Sequence, residues 1–385
     1  MQQENNKNIE KTIAFAGGGT GGHIYPGLAV ISSLQAAFPG NIRIIWIGSE
    51  AGMDRSIVEK FGIEFFGIKS GKLRRYFSLQ NFFDIFKIAA GFFNAKKILK
   101  KQQVCFLFSK GGFASVPPVV AAAALKIPVW THESDFSPGL ATKINSHFAQ
   151  KICIAYEKTA MYFSIKNRAK IMVCGNPVRP QFYSADAKIG REYILKIRPK
   201  FSDLPNDHLI LLVLGGSQGA EEINNLITSS IDILCEHFVV VHQTGSKNAA
   251  NAASAASDNY LPVPYIYDEM PHLLASVDLV LGRSGAGTVW ECAAIGCPMV
   301  LVPLSGHGTR GDQVQNAEYF TQKGAALTFV HPSAETLCKA LIDLAQDVQK
   351  LKCMQAASKE IGAMNGAKII AKPLVEQLLD LKSHL

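Results

Sequence analysis

Residues 12–27 read Thr12-Ile-Ala-Phe-Ala-Gly-Gly-Gly-Thr-Gly-Gly-His-Ile-Tyr-Pro-Gly27: an apolar strand, a turn with five glycines, and then an apolar segment that resumes at Leu28. This order of strand, turn and helix is typical of an α/β fold with a parallel sheet. The glycines leave the turn backbone uncovered, so its N–H groups and the positive end of the helix dipole can approach a phosphate or a sugar. We therefore expect a ligand at this helix N-terminus.

The spacing Gly17-x-Gly19-x-x-Gly22 also satisfies the dinucleotide-binding fingerprint. Alone the match is weak, because tight strand-to-helix turns often produce it and no clean ribose-binding acid precedes Glu50. His23 is the unusual residue of this turn. The helix dipole disfavours its protonated form, which favours a neutral base or hydrogen-bond partner; a capping or packing histidine is the alternative.

Length and composition describe a globular protein with two domains. A chain of 385 residues is too long to fold around one small core, which predicts two domains. Its content of 48% hydrophobic and 18% charged residues is typical of a folded globular protein. The sequence contains no apolar run of about 18 residues that would predict a membrane span. The polar start Met1–Glu10 lacks a signal-peptide core, so we expect the chain in the cytoplasm. Eight scattered cysteines without a Cys-x-x-Cys pair favour reduced thiols and no metal site.

Positive charge is concentrated in one stretch. The chain has 39 basic and 31 acidic residues, and this net charge of +8 favours an anionic partner. From Lys69 to Lys101 there are nine basic residues and one acid, Asp84, interleaved with phenylalanines. The residues considered for membrane contact are Lys72, Arg74, Arg75, Phe77, Phe82, Phe83 and Phe86. The pattern fits a membrane-surface contact or a helix packed on the sheet, and nucleic acid is less favoured because no binding module accompanies it.

Polar residues follow the predicted strands of the first half. The glycine turn Lys110-Gly-Gly follows the strand Val104–Ser109, and the strand Pro128–His132 leads into Glu133 and Asp135. Ligands of parallel α/β sheets bind at the carboxyl edge of the strands. The two acids are therefore candidate general bases or hydroxyl ligands, and helix capping is the alternative for each.

The second half repeats the first in outline. We predict a linker up to His208, because prolines accumulate there and periodicity is lost. The strand Leu209–Leu214 then runs into the glycine turn of residues 215–219 and a helix predicted over Ala220–Leu234, and a later strand is predicted over Val263–Tyr267. Two α/β halves with a glycine turn each imply a ligand cleft between them.

The stretch Arg283-Ser-Gly-Ala-Gly-Thr-Val-Trp-Glu291 predicts a second phosphate-binding helix N-terminus. Gly285 and Gly287 leave the helix start open to a diphosphate, and Thr288 and Glu291 share one helix face. A carboxylate one turn inside such a helix is well placed to accept hydrogen bonds from both hydroxyls of a ribose. A solvent-facing acid is the alternative interpretation.

Five motifs, in order and at compatible spacing, together resemble one family. They are Gly18-Gly-Thr-Gly-Gly-His23, Gly175-Asn-Pro-Val-Arg179, Gly215-Gly-Ser-Gln-Gly219, Arg283-Ser-Gly-Ala-x-Thr288 with Glu291, and Asp312-Gln313-x-x-Asn316. Over roughly residues 12 to 330 the chain is similar to the MurG family. These bacterial glycosyltransferases move N-acetylglucosamine from UDP-N-acetylglucosamine to lipid I, which forms lipid II for peptidoglycan synthesis.

The resemblance implies a GT-B fold, in which two Rossmann-like domains with parallel sheets face each other across a cleft. It implies an acceptor- and membrane-binding domain over residues 10–180, a UDP-N-acetylglucosamine-binding domain over 181–362, and a helix over 363–385 that crosses back to the first domain. The implied partners are UDP-N-acetylglucosamine, lipid I and an anionic membrane surface, at the cytoplasmic face of the inner membrane. No cofactor, metal or nucleic acid is expected.

The family's binding roles transfer to matching positions as expectations. Ile266 would pair with uracil through its backbone, and Glu291 would hold the ribose. The residues expected at the diphosphate are Ser217, Ala286, Gly287, Thr288 and Arg179. Those expected at the donor sugar, or closing over the donor, are Gln313, Asn316, Thr20, Gly21 and Gly22.

The implied reaction inverts the anomeric centre, which requires a base for the acceptor 4-hydroxyl and stabilisation of the UDP leaving group. His23 resembles the family's essential histidine and is assigned to acceptor activation. The chain departs from the family where His132-Glu-Ser-Asp135 replaces His-Glu-Gln-Asn and where Asp312-Gln313 replaces Gln-Gln. A carboxylate cannot donate a hydrogen bond to a sugar but can accept a proton, so Asp135 is the alternative base.

Three alternatives remain at this point. Another GT-B nucleotide-sugar transferase would share the same motifs. A non-catalytic nucleotide-sugar sensor would keep Glu291 but need neither His23 nor the basic stretch. An NAD-dependent enzyme would explain the first glycine turn but not the unit from Gly285 to Glu291.

Overall fold

The structure is a computed structural model that describes residues 11–19, 21–51, 54–71, 79–197, 208–216, 219–246, 256–306 and 309–381, without the side chains of residues 79–83 and 85. The chain divides into two compact units. The first unit comprises residues 1–180 and 365–385, and the second comprises residues 181–364.

The first unit is built on a seven-stranded parallel sheet in the order β3-β2-β1-β4-β5-β6-β7. Its strands are β1 (Lys11–Ala16), β2 (Ile42–Ser49), β3 (Glu64–Ile68), β4 (Val104–Ser109), β5 (Val129–Glu133), β6 (Lys151–Ile154) and β7 (Ile171–Val173). Because all strands are parallel, the loops that follow them lie at one edge of the sheet. Both glycine turns and the two acids after β5 are therefore brought to the same edge.

Helices cover both faces of this sheet. They are α1 (Gly21–Ala37), α2 (Asp54–Lys60), α3 (Leu79–Lys101), α4 (Val116–Ala124), α5 (Leu140–Phe148) and α6 (Ile165–Arg168). Helix α7 (Pro180–Tyr183) begins at the last residue of the segment 1–180 and continues into the second unit. One hydrophobic layer joins α1 to the C-terminal helix Gly366–Asp380 through side chains such as Leu28 and Leu374. The opposite layer contains Leu99 of α3 and Val119 of α4. Burial of both sheet faces explains why its strands are almost continuously apolar.

The second unit has a six-stranded parallel sheet in the order β10-β9-β8-β11-β12-β13. Its strands are β8 (Leu209–Leu214), β9 (Phe238–Gln243), β10 (Tyr260–Val263), β11 (Leu279–Gly282), β12 (Met299–Leu301) and β13 (Ala326–Thr328). Its helices are α8 (Ala187–Ile197), α9 (Glu221–Thr228), α10 (Ile231–Leu234), α11 (Met270–Ser276), α12 (Ala286–Ile295), α13 (Asp312–Gln322), α14 (Ala334–Gln346) and α15 (Val348–Gly362). The C-terminal helix of the first unit is α16 (Gly366–Asp380).

Two predicted elements are corrected by the structure. The strand predicted over Val263–Tyr267 instead covers Tyr260–Val263, where the buried side chains of Tyr260 and Leu261 belong to the sheet. The helix predicted over Ala220–Leu234 breaks between α9 and α10, where the hydroxyl of Ser229 donates to the carbonyl oxygen of Asn225 at 2.7 Å. Such bonds compete with the helical backbone ladder.

The predicted linker contains helix α8. Gly190 of α8 lies so close to the carbonyl oxygen of His272 that a Cβ atom there would collide with it, and Ile194 is fully buried. The helix is therefore stabilised by packing on α11, which a periodicity count along the chain does not reveal.

Candidate active site

The first glycine turn is fixed by a buried carboxylate. The N–H of Gly19 lies 3.0 and 3.2 Å from the two carboxylate oxygens of Asp54, and the N–H of Ser49 lies 3.3 Å from one of them. A Cβ atom at Gly18 would collide with this carboxylate. Burial raises the pKa of Asp54, and the two backbone hydrogen bonds oppose that shift. The turn is thus held open in front of α1 by a residue that the motif does not include.

His23 lies in the first turn of α1, half-buried against the second glycine turn. A Cβ atom at Gly112 would lie 3.0 Å from His23 Cδ2, and one at Gly111 would lie 3.9 Å from His23 Nδ1. The two glycine turns, separate in sequence, therefore meet at this imidazole. Gly21 and Gly22 begin the same helix, whereas Thr20 lies outside the described residues.

Arg179 is brought to the same helix end. Its guanidinium carbon lies 4.8 Å from the ring centroid of Tyr25, one turn or less from His23 along α1. A cation over an aromatic face is a favourable contact that also orients the guanidinium. The structure thereby groups Arg179 with His23 in the first unit.

The acids after β5 have different surroundings. Glu133 is buried, and its carboxylate accepts the N–H groups of Asp135 at 3.1 Å and Gly139 at 3.0 Å. These bonds fit the capping interpretation, because they hold the loop that precedes α5. Asp135 is half-buried. It stays the candidate for proton transfer in this loop.

A buried lysine lies beneath this edge, and our sequence interpretation gave it no role. Lys110 is 1% exposed, and its ammonium donates to Ser134 Oγ at 2.7 Å. Ser134 in turn donates to Asn176 Oδ1 at 2.6 Å. Burial lowers the pKa of Lys110 to about 8, an effect opposed mainly by the charges of Glu133 and Asp135. The signal that sequence reading passed over is a lysine directly between an apolar strand and two glycines.

His132 is a core residue rather than a solvent-facing one. It is fully buried, and its Nε2 lies 3.2 Å from the carbonyl oxygen of Gly175. Burial, and then the charge of Lys110, lower the pKa of His132 well below its usual value. A neutral imidazole here ties β5 to the loop that carries Arg179.

In the second unit, α12 begins at an open edge. Gly285 caps the helix with φ −62° and ψ 137°, a conformation that other residues adopt readily. Among the described residues, a Cβ atom at Gly285 or at Gly287 would meet no atom within 4 Å beyond its chain neighbours and the backbone of its own helix. The described part of the protein therefore leaves space for a ligand at these positions. Thr288 and Glu291 follow on one helix face, both half-buried, and Ala286 is buried.

The start of α12 is braced by α13. The hydroxyl of Ser284 donates to the backbone oxygen of Gln313 at 2.7 Å, and the Asn316 amide donates to the backbone oxygen of Ser284 at 3.1 Å. Gln313 Oε1 accepts the N–H of Leu304 at 2.9 Å, which orients its amide. Asn316 is 0% exposed, so its observed role is to position this loop, and its contact with a ligand stays a prediction.

In the second unit, the glycine turn after β8 is linked to Ile266 through Gln243. The Gln243 amide donates to the backbone oxygen of Gly216 at 3.1 Å, and its oxygen accepts the N–H of Ile266 at 3.0 Å. The backbone N–H assigned to uracil is thus already bonded to a side chain, which a base would have to displace. Ser217 lies outside the described residues.

A charged network flanks the start of α12. Arg283 lies 2.7 Å from one carboxylate oxygen of Glu222, and His331 lies 2.9 Å from the other. Burial acts to raise the pKa of Glu222, but the hydrogen bonds from His331 and Arg283 outweigh it and lower that pKa. The network ties α9 to the β11–α12 turn.

The part of the basic stretch from Leu79 to Lys101 forms α3, which packs on the sheet and also exposes aromatic rings. Ala95 and Leu99 are buried in the core, whereas Phe86 and Phe93 are 61% and 67% exposed. Lys72, Arg74, Arg75 and Phe77 lie outside the described residues, and the side chains of Phe82 and Phe83 are not described. The alternative interpretation placed Leu79, Phe82, Phe83, Phe86 and Phe93 on the face that packs against the sheet. It is wrong for Phe86 and Phe93, because α3 packs through Ala95 and Leu99 instead. Membrane contact stays a prediction for the exposed face.

The described residues form neither a membrane span nor a metal-binding cluster. None of the helices they form is both long and apolar enough to cross a bilayer. Within the same part of the chain, no group of three or more His, Cys, Asp or Glu residues is arranged to hold a metal ion.

Comparison with known proteins agrees with the motifs. Residues 13–154 match the glycosyltransferase family 28 N-terminal domain, and residues 210–372 match the family 28 C-terminal domain. A protein of Treponema denticola is 46% identical to this chain, and the alignment covers 94% of this chain and 96% of the relative. The relative is named UDP-N-acetylglucosamine–N-acetylmuramyl-(pentapeptide) pyrophosphoryl-undecaprenol N-acetylglucosamine transferase. A Shouchella clausii protein of the same name is 38% identical over 93% of this chain and 95% of its own.

The fold agrees as well. The crystal structure of Acinetobacter baumannii MurG superposes with a TM-score of 0.73 at 24% identity, covering 95% of this chain and 99% of that one. Two parallel α/β units, of seven and six strands, are the components of the GT-B fold. From the domain matches and the two relatives, this chain belongs to glycosyltransferase family 28 and, within it, to the MurG family of N-acetylglucosamine transferases.

Proposed function

We propose that this chain transfers N-acetylglucosamine from UDP-N-acetylglucosamine to the 4-hydroxyl of the N-acetylmuramyl unit of lipid I, forming lipid II. The names of relatives 46% and 38% identical to it support this reaction. It identifies the chain as a hexosyltransferase of peptidoglycan synthesis.

The open space at Gly285 and Gly287 is the observation that supports donor binding by the second unit. No described residue packs where a side chain at these glycines would stand, and the glycines uncover the N-terminus of a ten-residue helix. Helix N-terminal N–H groups and the helix dipole stabilise a diphosphate. Glu291, one turn further on, would accept hydrogen bonds from the ribose, while Gln313 would bind the sugar.

The acceptor half is assigned to the first unit. The acceptor hydroxyl attacks the anomeric carbon, its proton passes to a base, and the bond to UDP breaks on the opposite side. His23 is the proposed base and Asp135 the alternative; both lie at the carboxyl edge of the first sheet, where polar groups of such sheets meet ligands. The start of α12 would stabilise the charge that develops on UDP.

A lipid-linked acceptor requires the enzyme to reach a bilayer. The exposed rings of Phe86 and Phe93 and the exposed lysines of α3 support a peripheral contact with an anionic membrane at the cytoplasmic face of the inner membrane. Apolar side chains embed in the interface while nearby cations attract anionic headgroups.

The direct experiment is to incubate the purified chain with UDP-[14C]N-acetylglucosamine and a short-chain lipid I analogue. We expect labelled lipid II analogue and one UDP per sugar transferred, without added NAD. UDP binding with no transfer would instead indicate a nucleotide-sugar sensor, and transfer to another acceptor only would indicate a different GT-B transferase. Thermal protection by NAD but not by UDP would reject the donor assignment.

A further inference from the structure

Lys110 is an internal cation at the edge of the first sheet. Its stem runs beside the first glycine turn, where a Cβ atom at Gly17 would lie 3.1 Å from Lys110 Cβ and one at Gly27 would lie 3.8 Å from Lys110 Cγ. Its backbone N–H donates to the Ala16 oxygen at 2.7 Å. Lysine is almost never fully buried unless it is paired. The burial of Lys110 therefore requires interactions that offset its cost.

The ammonium group of Lys110 connects three loops. It donates to Ser134 after β5 at 2.7 Å, and Ser134 donates to Asn176 after β7 at 2.6 Å. All three side chains are buried. The chain of hydrogen bonds fixes the loop that carries Asp135 relative to the loop that carries Arg179.

The charges around Lys110 come from several elements. The titratable groups that act on it or respond to it are Glu133 and Asp135 after β5, His132 in β5, Cys153 in β6 and Cys174 after β7. Burial lowers the pKa of Lys110 to about 8, and the two carboxylates act in the opposite direction. Glu133 is bound by the backbone of its own loop. Asp135 is the carboxylate that the proposed reaction assigns to proton transfer.

The position of Lys110 coincides with the departure from the family pattern. Ser134 and Asp135 stand where that pattern has glutamine and asparagine, so a neutral amide is replaced by a carboxylate. A nearby cation favours the ionised form of a partly buried carboxylate. Lys110 supplies that cation from inside the protein.

We propose that Lys110 is a positioning residue for the acceptor half: it holds the Ser134–Asn176 connection, and its charge keeps Asp135 ionised and oriented. The proposal rests on the transfer reaction proposed above. It does not make Lys110 a catalytic residue, because its ammonium contacts Ser134 rather than solvent.

A double-mutant cycle on the full chain tests this proposal. Lys110→Met keeps the stem and removes the charge. We expect it to lower kcat by about 10- to 100-fold, leave the KM for UDP-N-acetylglucosamine unchanged, and move the low-pH limb of kcat/KM to higher pH. In an Asp135→Asn background, the same substitution should change kcat by less than about 3-fold. Equal losses in both backgrounds, or an unmoved low-pH limb, would overturn the proposal.

Two further variants separate charge from packing. Ser134→Ala removes the hydrogen bond but keeps the cation, so the low-pH limb should stay in place. Lys143→Met changes an exposed lysine of α5 in the same unit and should behave like the parent.

A stability measurement decides the charge pairing independently of sugar transfer. The change in Tm that Lys110→Met causes at pH 7 should be more unfavourable in the parent chain than in the Asp135→Asn background, because only the parent then keeps a carboxylate without its cation. Additive effects of the two substitutions would reject the pairing. A parent chain that transfers no sugar would refute the proposed function, while this stability cycle would still decide whether Lys110 and Asp135 are coupled.

Discussion

His23 occupies space that a side chain at Gly112 would need: a Cβ atom at Gly112 would lie 3.0 Å from His23 Cδ2. Gly112 also has a φ of 76°, which L side chains rarely adopt. The turn after β4 thus lies against the imidazole of His23, a residue that follows β1. A glycine far from the first motif therefore sets the orientation of the histidine within it.

His23→Ala should lower turnover by roughly 10²- to 10⁴-fold, because general acid–base catalysis contributes about that much. UDP affinity should hardly change, since the nucleotide is assigned to the second unit. Single-turnover kinetics and UDP titration measure the two quantities. Asp135→Asn is the companion variant. If it abolishes turnover while His23→Ala retains most of it, the roles of the two residues must be exchanged.

Gly287→Ala should leave stability unchanged or raise it by up to about 1 kcal/mol, because alanine favours helix more than glycine does. The added methyl group enters the open space at the helix start, so UDP affinity should fall at least about 10-fold. Calorimetric titration and urea unfolding test both parts. Gly362→Ala is the matched control with the opposite pattern, because its Cβ would collide with the Ala293 oxygen. Unchanged UDP affinity in Gly287→Ala would place the diphosphate elsewhere.

Glu291→Ala should weaken UDP binding by about 2–4 kcal/mol, because two charge-assisted hydrogen bonds to the ribose are lost together. Deoxyribose-containing dUDP should be less sensitive to the substitution than UDP. Glu335→Ala, an exposed acid of α14, serves as the control. Equal UDP affinity in Glu291→Ala and the parent would mean that Glu291 is a surface acid.

Reversal of Lys72, Arg74 and Arg75 to Glu should release the chain from anionic vesicles and slow transfer to a long-chain acceptor. Each cation near an anionic leaflet contributes about 1 kcal/mol, and salt weakens the effect. Phe86→Ser with Phe93→Ser tests the exposed rings of α3, and Ile233→Ser, an exposed apolar residue of the second unit, is the control. Transfer to a short, soluble acceptor should persist in every variant. Undiminished vesicle binding would leave α3 a helix packed only on the sheet.

Local chemistry was enough to predict several parts of this protein from its sequence. The strands Val104–Ser109 and Leu209–Leu214 are confirmed at both ends, since each is a short apolar run bounded by glycine or polar residues. The glycine turns and the helices that follow them could also be predicted from the sequence, because backbone conformation and the helix dipole depend on neighbouring residues. The family follows from the order and spacing of such motifs.

Partners distant in sequence were decided only by the tertiary structure. Lys110 is buried because β4 lies between β1 and β5, which brings Gly17 and Ser134 to either side of it. Asn316, expected at the donor, is enclosed beneath Ser284 for the same kind of reason. Burial and hydrogen-bond partners depend on which strands become neighbours, and that choice is made by the packing of the whole sheet rather than by any local run of residues.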